Sequence, residues 1–359
     1  MTPSTDAAGV GESAAKSEMA EAILGFLAEK LGATDCRIVS FSRSVEGFSW
    51  ETYSIGVAWS ADNGELERHF IVHRVPRAGM LAPYNTRAVY ELRKALEGVP
   101  GVPVPAMLWI DEEGAATGRP LYVVEKLFGK APTPWTSDTF FANDEERRQT
   151  ARQLMEITAA LHAAPMSIAP TGMRGLAEQD PLSEIDYWHR IYREECVEPV
   201  PAVDWGFAWL YAHSDRMSAR RCVLHGDLRT GNYMMHGGRI IALLDWEEAH
   251  VGDPVQDLAH CAFRLFRGRT RQAAGLVPVS DLLAYYEEAA DWEVSHEAFH
   301  FWSVYAAIYA AVTMHRANSI YASGATNDVR YAALGLQTHH THRDLIDYIE
   351  AAERGAAPE

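Results

Sequence analysis

The segment Val223–Ala259 constrains the fold of this chain more than any other part of it. It contains Asp227 and Asn232, which lie five positions apart, and then Asp245, which directly follows an apolar run. Between the two stretches, the turn His236-Gly237-Gly238 is typical of a tight hairpin, because glycine adopts the positive φ angles that such turns require. The pattern therefore predicts two loops joined by a hairpin, with the three polar side chains brought together.

These three residue types suit one kind of chemistry. Oxygen atoms of carboxylates and amides are the ligands that Mg²⁺ takes from proteins, and we assign that role to Asn232 and Asp245. Asp227 is the candidate proton acceptor for an attacking hydroxyl group. Its offset to Asn232 equals the offset in the protein-kinase catalytic loop, H-R-D-L-x-x-x-N. Each residue alone is better explained as part of a solvated loop, but the three together favour phosphoryl transfer.

The rest of the chain predicts a β-rich part followed by a helical part. Its 359 residues are 48% hydrophobic, enough for a sizeable core. We divide it into a disordered leader (1–16), an N-lobe (17–128) and a helical C-lobe (129–359), with a connection near Glu125–Gly129. The expected fold class is α+β, a small antiparallel sheet followed by helices. A cleft between two such lobes is the natural place for a ligand.

The spacing at which apolar residues recur predicts the helices and strands of the chain. The N-lobe is expected to have helices at Ser17–Leu31 and Thr86–Leu96 and strands at Cys36–Ser42, Thr52–Ser60, His69–Val75, Ala106–Ile110 and Leu121–Lys126. The clearest helices expected in the C-lobe are Asp144–Ala163, Ile185–Glu195, Trp205–Ser214, Ser280–Ala290, Glu297–Ser319 and Asp328–Glu353.

Charge and cysteine content argue against several classes of function. A net charge of −17 disfavours nucleic acid and anionic membrane surfaces as partners, since both attract clustered Lys and Arg. No apolar run approaches the roughly 20 residues that span a bilayer, and the N-terminus lacks the features of a signal peptide. The four cysteines show no metal-binding spacing. We therefore expect a cytoplasmic protein, for which a homodimer stays open.

The segments HGDLRTGN, LLDWEEAHVGDP and QDLAH resemble the signature of the aminoglycoside phosphotransferase and choline kinase superfamily. Its members are small-molecule relatives of protein kinases. The closer resemblance is to phosphotransferase-like domains found in the N-terminal part of some acyl-CoA dehydrogenase proteins, and it extends from about Phe41 to Ala317. It implies a protein-kinase-like two-lobed fold, ATP and Mg²⁺ as cofactors, and transfer of the γ-phosphoryl group to a hydroxyl of a small molecule.

The resemblance also implies roles for residues of the N-lobe. The turn Gly47–Tyr53 is similar to the family's phosphate-covering loop, so Ser49 would approach the nucleotide phosphates, although Trp50 stands where asparagine is usual. Arg74 occupies the place of the phosphate-anchoring lysine, and Glu91 is the candidate partner for Arg74. Arginine keeps the charge and can grip phosphate in a bidentate way.

Further roles follow from the same resemblance. Backbone groups of Glu125 and Leu127 would bind the adenine edge at the hinge. His225 and Asp257 would support the catalytic loop without touching substrate. For Arg229 two roles stay open, a contact with the transferred phosphate and a solvated loop position.

Several alternatives remain on sequence grounds. Gly226 and Trp246 replace residues that a protein kinase needs, which favours a small-molecule acceptor. An aminoglycoside acceptor is less favoured than a hydroxylated metabolite or acyl compound. A nucleotide-binding pseudokinase that acts as an interaction module is a second hypothesis, motivated by Trp50 and Arg74. A metallophosphoesterase is a third and weaker one, because the additional His and Asp ligands it needs are not evident.

Overall fold

The computed structural model describes residues 6–44, 47–62, 64–178, 180–196 and 198–357, with side chains from residue 17 onward. The chain divides into two compact units. The first comprises Met1–Arg77 and Pro105–Leu127, and the second comprises Ala78–Val104 and Phe128–Glu359. The boundary after Leu127 falls one residue before the predicted end of the N-lobe at residue 128. The segment 78–104, however, belongs to the helical unit, whereas the sequence had assigned it to the N-lobe.

The first unit is an antiparallel sheet with one long helix, α1 (Asp6–Leu31). Its five strands have the order β1-β2-β3-β5-β4, with the bounds β1 (Arg37–Arg43), β2 (Glu51–Ala61), β3 (Gly64–Arg74), β4 (Met107–Asp111) and β5 (Leu121–Glu125). Ile23 and Leu27 of α1 pack with Ile55, Phe70 and Val123 of the sheet in a fully buried cluster. All five predicted strands are therefore present.

The predicted disordered leader is partly wrong. Residues 1–5 lie outside the described part, but helix α1 already begins at Asp6 and continues through the stretch that was assigned to the leader. The alanines of this stretch explain the difference. Alanine is the strongest helix former and outweighs the neighbouring glycines, and the stretch contains Ala7, Ala8, Ala14 and Ala15.

The second unit is mainly helical and contains two small two-stranded sheets. Its strands are β6 (Cys222–Leu224), β7 (Tyr233–His236), β8 (Arg239–Leu243) and β9 (His250–Gly252). Its helices are α2 (Thr86–Leu96), α3 (Ser137–Phe140), α4 (Asp144–His162), α5 (Ser183–Glu195), α6 (Pro201–Ala212), α7 (Pro254–Ala262), α8 (Val279–Ala290), α9 (His296–Ala322), α10 (Val329–Leu336) and α11 (Thr338–Glu353). Among the residues that the structure describes, none of the helices has both the length and the apolar character needed to cross a bilayer.

One predicted helix is two in the structure. The stretch Asp328–Glu353 breaks between α10 and α11. Gly335, a poor helix former, lies so close to Asn318 of α9 that a Cβ atom would overlap its side chain. The helix ends one residue after Gly335, and Gln337 separates it from α11.

The two small sheets position the segment from which the sequence analysis began. Strand β6 pairs with β9, and β7 pairs with β8 through the turn at Gly237 and Gly238, which both have positive φ angles. The loop that carries Asp227 therefore starts at one paired strand and ends at another. The loop that carries Asp245 does the same, since it joins β8 to β9. The short strands β6 and β9 were not predicted, because three residues are too few for a periodic pattern.

Candidate active site

Asp227 is held by side chains of its own loop and of helix α7. Its Oδ1 atom accepts a hydrogen bond from Nε of Arg229 at 2.9 Å and lies 2.9 Å from Nε2 of His260. Its Oδ2 atom accepts from Nδ2 of Asn232 at 2.6 Å. Burial alone would raise the pKa of Asp227, but the charge of Arg229 and the hydrogen bond with His260 hold that pKa well below its usual value. The carboxylate is therefore ionised at neutral pH and fixed in orientation.

His225 connects the two loops. Its Nε2 atom lies 2.7 Å from the carbonyl oxygen of Leu244, and its Nδ1 atom lies 3.3 Å from the backbone nitrogen of Asp227. A carbonyl only accepts and an N–H only donates, so the ring carries its proton on Nε2. Burial lowers the pKa of His225 despite the nearby carboxylates, which keeps the ring neutral. Asn232 adds a second connection, because its carbonyl oxygen accepts from the backbone N–H of Leu244 at 2.8 Å.

Asp257 of helix α7 supports the start of the same loop. It accepts from the backbone N–H groups of His225 at 2.8 Å and of Gly226 at 2.9 Å, and it lies 3.2 Å from Nε2 of His162. The side chain is fully buried. Burial would raise the pKa of Asp257, but the hydrogen bonds and the neighbouring histidines lower it to about 2.

We expect Asp257→Asn to destabilise the protein by about 3 kcal/mol, because an amide nitrogen would then face a backbone N–H and leave that donor buried without an acceptor. Chemical denaturation at neutral pH measures this loss. The lowered pKa means that Asp257 contributes stability above its usual pKa of 3.8 and loses that contribution as the pH falls toward about 2. The difference in unfolding free energy between wild type and variant should therefore shrink in that range. A constant difference would contradict the assignment.

Glycine is required at position 226 by the backbone. Gly226 has a φ of 81°, and a Cβ atom there would overlap the carbonyl oxygen of Glu248. No other residue type fits without moving the loop. The absence of the protein-kinase arginine at this position therefore has a local physical cause.

Asp245 has an unusual backbone conformation. Its φ of 56° lies in the left-handed region, which residues other than glycine seldom adopt and which is often found at functional sites. Burial raises the pKa of the carboxyl group, and the charge of Asp227 adds to this, against the opposing effect of Arg229 and Arg93. Burial makes the ionised form of this carboxyl group unfavourable, so a nearby cation would stabilise that form strongly. This carboxylate and Oδ1 of Asn232, whose Nδ2 atom already binds Asp227, are hard oxygen donors of the kind Mg²⁺ takes.

In the first unit, Arg74 takes part in a buried ion pair. Its Nη1 atom donates to Glu51 at 2.6 Å, and its Nε donates to the hydroxyl of Thr117 at 3.0 Å. Arg119 also donates to Glu51, at 2.9 Å. Although burial opposes it, the two arginines lower the pKa of Glu51. Two guanidinium groups thus share one carboxylate, and the cluster keeps a net positive charge.

Within its own unit, each member of the predicted Arg74–Glu91 pair contacts a different residue. Arg74 pairs with Glu51 in the first unit, and Glu91 accepts from Arg87 at 3.3 Å, one helical turn away in α2 of the second unit. The spacing on α2 explains the second pairing, since residues four apart share one helix face. A contact between Arg74 and Glu91 therefore stays a prediction.

The remaining candidates of the first unit, Ser49, Glu125 and Leu127, lie at or next to the ends of strands β2 and β5. Ser49 is half-buried in the bend that leads into β2. Glu125 ends β5, and its N–H donates to the carbonyl of Ala106 at 3.0 Å, which limits a predicted adenine contact to its carbonyl group and to Leu127. Their roles toward a nucleotide stay predictions.

His260 is the site residue that sequence reasoning missed. It is buried, it contacts Asp227, and its ring lies beside Phe266 and Tyr309, with centroids 5.0 and 5.5 Å apart. A signal was present, because His260 lies three positions after Asp257 and therefore on the same face of α7. Glu51 and Arg119 gave no such signal, since their contact depends on strand register.

We expect His260→Ala to lower kcat by roughly ten- to a hundredfold, because Asp227 loses one of the contacts that fix its orientation. The KM for ATP should change by less than about twofold, as the contact is to the proton acceptor and not to the nucleotide. His300→Ala serves as the matched control, since His300 is another buried histidine but bonds to the carbonyl of Ala356. Equal losses in both variants would contradict a role at the site.

Comparison with known proteins agrees with this geometry. The fold is that of solved aminoglycoside and macrolide phosphotransferases, which are protein-kinase-like enzymes. A model of the phosphotransferase enzyme family (APH) matches residues 54–297, more than half of the chain. The chain therefore belongs to the phosphotransferase enzyme family.

Three solved structures illustrate the likeness of fold. A candidate aminoglycoside phosphotransferase from Ralstonia eutropha superimposes with a TM-score of 0.69 at 20% identity, covering 94% of this chain and 99% of that chain. A macrolide 2'-phosphotransferase type I gives 0.59 at 20% identity over 94% and 99% of the two chains. A thermostable mutant of aminoglycoside phosphotransferase APH(4)-Ia, in a ternary complex with ADP and hygromycin B, gives 0.58 at 16% identity over 90% and 98%.

The curated relatives are longer proteins. The chain is 28% identical over 204 residues to acyl-CoA dehydrogenase family member 11 of Rattus norvegicus, covering 56% of this chain and 26% of that protein. It is 25% identical over 264 residues to acyl-CoA dehydrogenase family member 10 of Mus musculus, covering 67% and 24%. The chain thus spans about a quarter of the length of these relatives.

Proposed function

We propose that this chain transfers the γ-phosphoryl group of ATP to a hydroxyl group of a small molecule. The observation that carries the proposal is the fixed position of Asp227, which three side chains hold while two further links tie its loop to the loop of Asp245. An ionised carboxylate beside two more oxygen donors is what phosphoryl transfer requires from a protein. Membership of the phosphotransferase enzyme family supports the same conclusion.

Asp227 acts mainly by orientation. A carboxylate with such a low pKa is a weak base, so it does not remove the proton of an alcohol before the reaction starts. In the loose transition state of phosphoryl transfer the nucleophile gains little charge until late, and a directed hydrogen bond is then sufficient. Asp227 accepts that bond and takes the proton as the new P–O bond forms. Arg229 and His260 stabilise its charge in the correct position.

Asn232 would hold Mg²⁺ through its Oδ1 atom, and Asp245 would hold it through its carboxylate. When bound, the ion would neutralise the phosphate oxygens of the nucleotide. The left-handed backbone of Asp245 directs its carboxylate, and the hydrogen bonds donated by Asn232 to Asp227 fix its amide. On the nucleotide side, we assign the phosphates to Ser49 and to the positive cluster of Arg74 and Arg119, and the adenine edge to Glu125 and Leu127.

An acceptor other than an aminoglycoside is the one we favour. An aminoglycoside is a polycation, and Asp227 is neutralised by Arg229 in this chain. The names of the curated relatives point to acyl compounds, which supports a hydroxylated acyl compound or a similar metabolite. A pseudokinase is the second candidate, and it is favoured by the engagement of Arg74 with Glu51.

A metabolite screen with labelled ATP tests the proposal. Wild type and Asp227→Asn are incubated with the same panel of alcohols, and phosphorylated products are detected by mass. A product that forms with wild type and not with the variant supports the transferase. Mg·ATP binding without any product from a broad panel would favour the pseudokinase instead.

A further inference from the structure

Tyr309 interrupts the buried stretch of helix α9. Every residue of this helix from Ala298 to Met314 is buried except Tyr309, which is partly exposed. A tyrosine offers a flat apolar ring and a polar hydroxyl group. A tyrosine that reaches the surface from an otherwise buried helix presents both to a molecule outside the fold, and Tyr309 has no part in the chemistry described above.

The tyrosine lies close to the proton acceptor. The centre of its ring is 5.5 Å from that of His260, whose Nε2 atom lies 2.9 Å from Oδ1 of Asp227. Phe266 contacts the same imidazole at 5.0 Å, and the guanidinium of Arg229 lies 5.1 Å from the centre of the Phe266 ring. The side chain of Asp227 is 15% exposed, and both aromatic residues are partly exposed. A small molecule bound at the carboxylate therefore lies within reach of Tyr309.

The hydroxyl of Tyr309 retains its capacity to bind a ligand. It forms no hydrogen bond with any group in the part of the chain that the structure describes, and its oxygen atom is accessible to solvent. Tyr305, one turn earlier on α9, differs in this respect, because its hydroxyl donates to Glu184 at 2.7 Å. Burial and the neighbouring carboxylates of Glu248 and Asp227 raise the pKa of Tyr309 well above its usual value. The hydroxyl therefore keeps its proton and can donate it in a hydrogen bond.

Trp188 of helix α5 holds the ring of Tyr309 in position. The two rings meet edge to face with their centres 4.7 Å apart, an arrangement that is favourable beyond the area it buries. Trp188 is itself buried, and its Nε1 atom donates to Glu184 at 2.9 Å. Since Tyr309 packs on both Trp188 and His260, the direction of its hydroxyl is fixed, and a fixed donor binds a ligand at a lower entropic cost than a mobile one.

We propose that Tyr309 binds the acceptor molecule, and that its hydroxyl donates a hydrogen bond to a second oxygen atom beside the hydroxyl that is phosphorylated. Asp227 only accepts hydrogen bonds, so it receives the bond of the reactive hydroxyl, whereas Tyr309 supplies a donor next to it. The substrate class is a compound with two oxygen functions close together, such as a vicinal diol or a hydroxyl next to a carbonyl, whose carbon skeleton packs on the ring. The assignment rests on the proposed transfer to a small-molecule hydroxyl and specifies its substrate class.

Saturation-transfer NMR tests the contact without requiring turnover. The whole chain is titrated with trans-cyclohexane-1,2-diol and with cyclohexanol, in the presence of saturating Mg·ADP. We expect wild type to bind the diol roughly three- to tenfold more tightly, and Tyr309→Phe, which keeps the ring, to lose that preference. Tyr285→Phe is the matched control, since Tyr285 is also partly exposed but packs on Arg152 of α4. Equal losses in both variants, or no preference for the diol in wild type, would overturn the proposal.

Kinetics separate this role from a structural one. Tyr309→Phe removes no hydrogen bond within the described part of the chain, so its melting temperature should equal that of wild type. With the best acceptor of the metabolite screen, KM for the acceptor should rise roughly three- to tenfold, while kcat and KM for ATP should change by less than about twofold. A fall in kcat with an unchanged KM for the acceptor would overturn the assignment. If no alcohol is turned over, the transferase proposal fails, while the NMR titration still decides whether Tyr309 binds a second oxygen atom.

Discussion

Asp227→Asn is expected to lower kcat by about three orders of magnitude, because an amide cannot take the proton of the attacking hydroxyl. The amide is nearly the same size as the carboxylate, so the loop should keep its conformation. Affinity for Mg·ATP should change little, since Asp227 is assigned to the acceptor and not to the nucleotide. Initial rates with the best alcohol of the screen, together with calorimetric titration of ATP, measure both quantities.

The control for this variant is Asp215→Asn, an exposed aspartate in a turn after α6, which should leave kcat unchanged. A second check is thermal stability. Asp227 accepts from both Arg229 and Asn232, so the variant loses some stability, but by less than the protein needs to remain folded at the assay temperature. Wild-type turnover by a folded Asp227→Asn protein would rule out the mechanism.

Asp245→Asn is expected to weaken Mg-dependent ATP binding by at least about a hundredfold. Loss of residues that only support a metal ligand already costs 10–100-fold, and this change removes the charge of a ligand itself. Asparagine tolerates the left-handed backbone at this position, so the loop should fold normally, whereas alanine would add strain. ATP titrations with and without Mg²⁺ should differ strongly for wild type and only slightly for the variant.

The same variant makes a second, independent prediction. Burial makes the ionised form of Asp245 unfavourable when no cation is bound, as the raised pKa of its carboxyl group indicates. Removing that charge should leave the melting temperature of the metal-free protein unchanged or raise it. A marked fall in melting temperature would mean that Asp245 stabilises the fold itself, and the loss of ATP binding could not then be assigned to the metal.

Local features of the sequence were sufficient for much of the fold. Helix α2 has the predicted bounds, since its apolar residues recur on one face and Asn85 caps its start. The ends of the five strands of the first unit were predicted within one residue, except that β3 begins five residues earlier than expected, because alternation and turn residues act over short distances. The early start of α1 and the break at Gln337 were missed. The first depends on a balance among weak helix propensities, and the second follows a glycine, Gly335, that packs closely against another helix.

In the candidate site, too, local sequence features were predicted and contacts set by packing were not. Asp227, Asn232 and Asp245 were predicted together because their spacing is a property of the chain itself. The hydrogen bonds of Asp257 to the catalytic loop were expected only through resemblance, and the contact of His260 with Asp227 was not expected at all. Asp257 and His260 both belong to α7, and the orientation of this helix about its own axis decides which of its side chains reach the loop.

By itself, the sequence determined the family, the order of the elements and the three oxygen-bearing residues at the centre of the site. Only the tertiary structure decided that Arg74 pairs with Glu51 and that His260 holds Asp227. The physical reason is the range of the interactions. Spacing, turns and capping act between residues close in the chain, whereas these two contacts join positions 23 and 33 residues apart, and packing alone selects them.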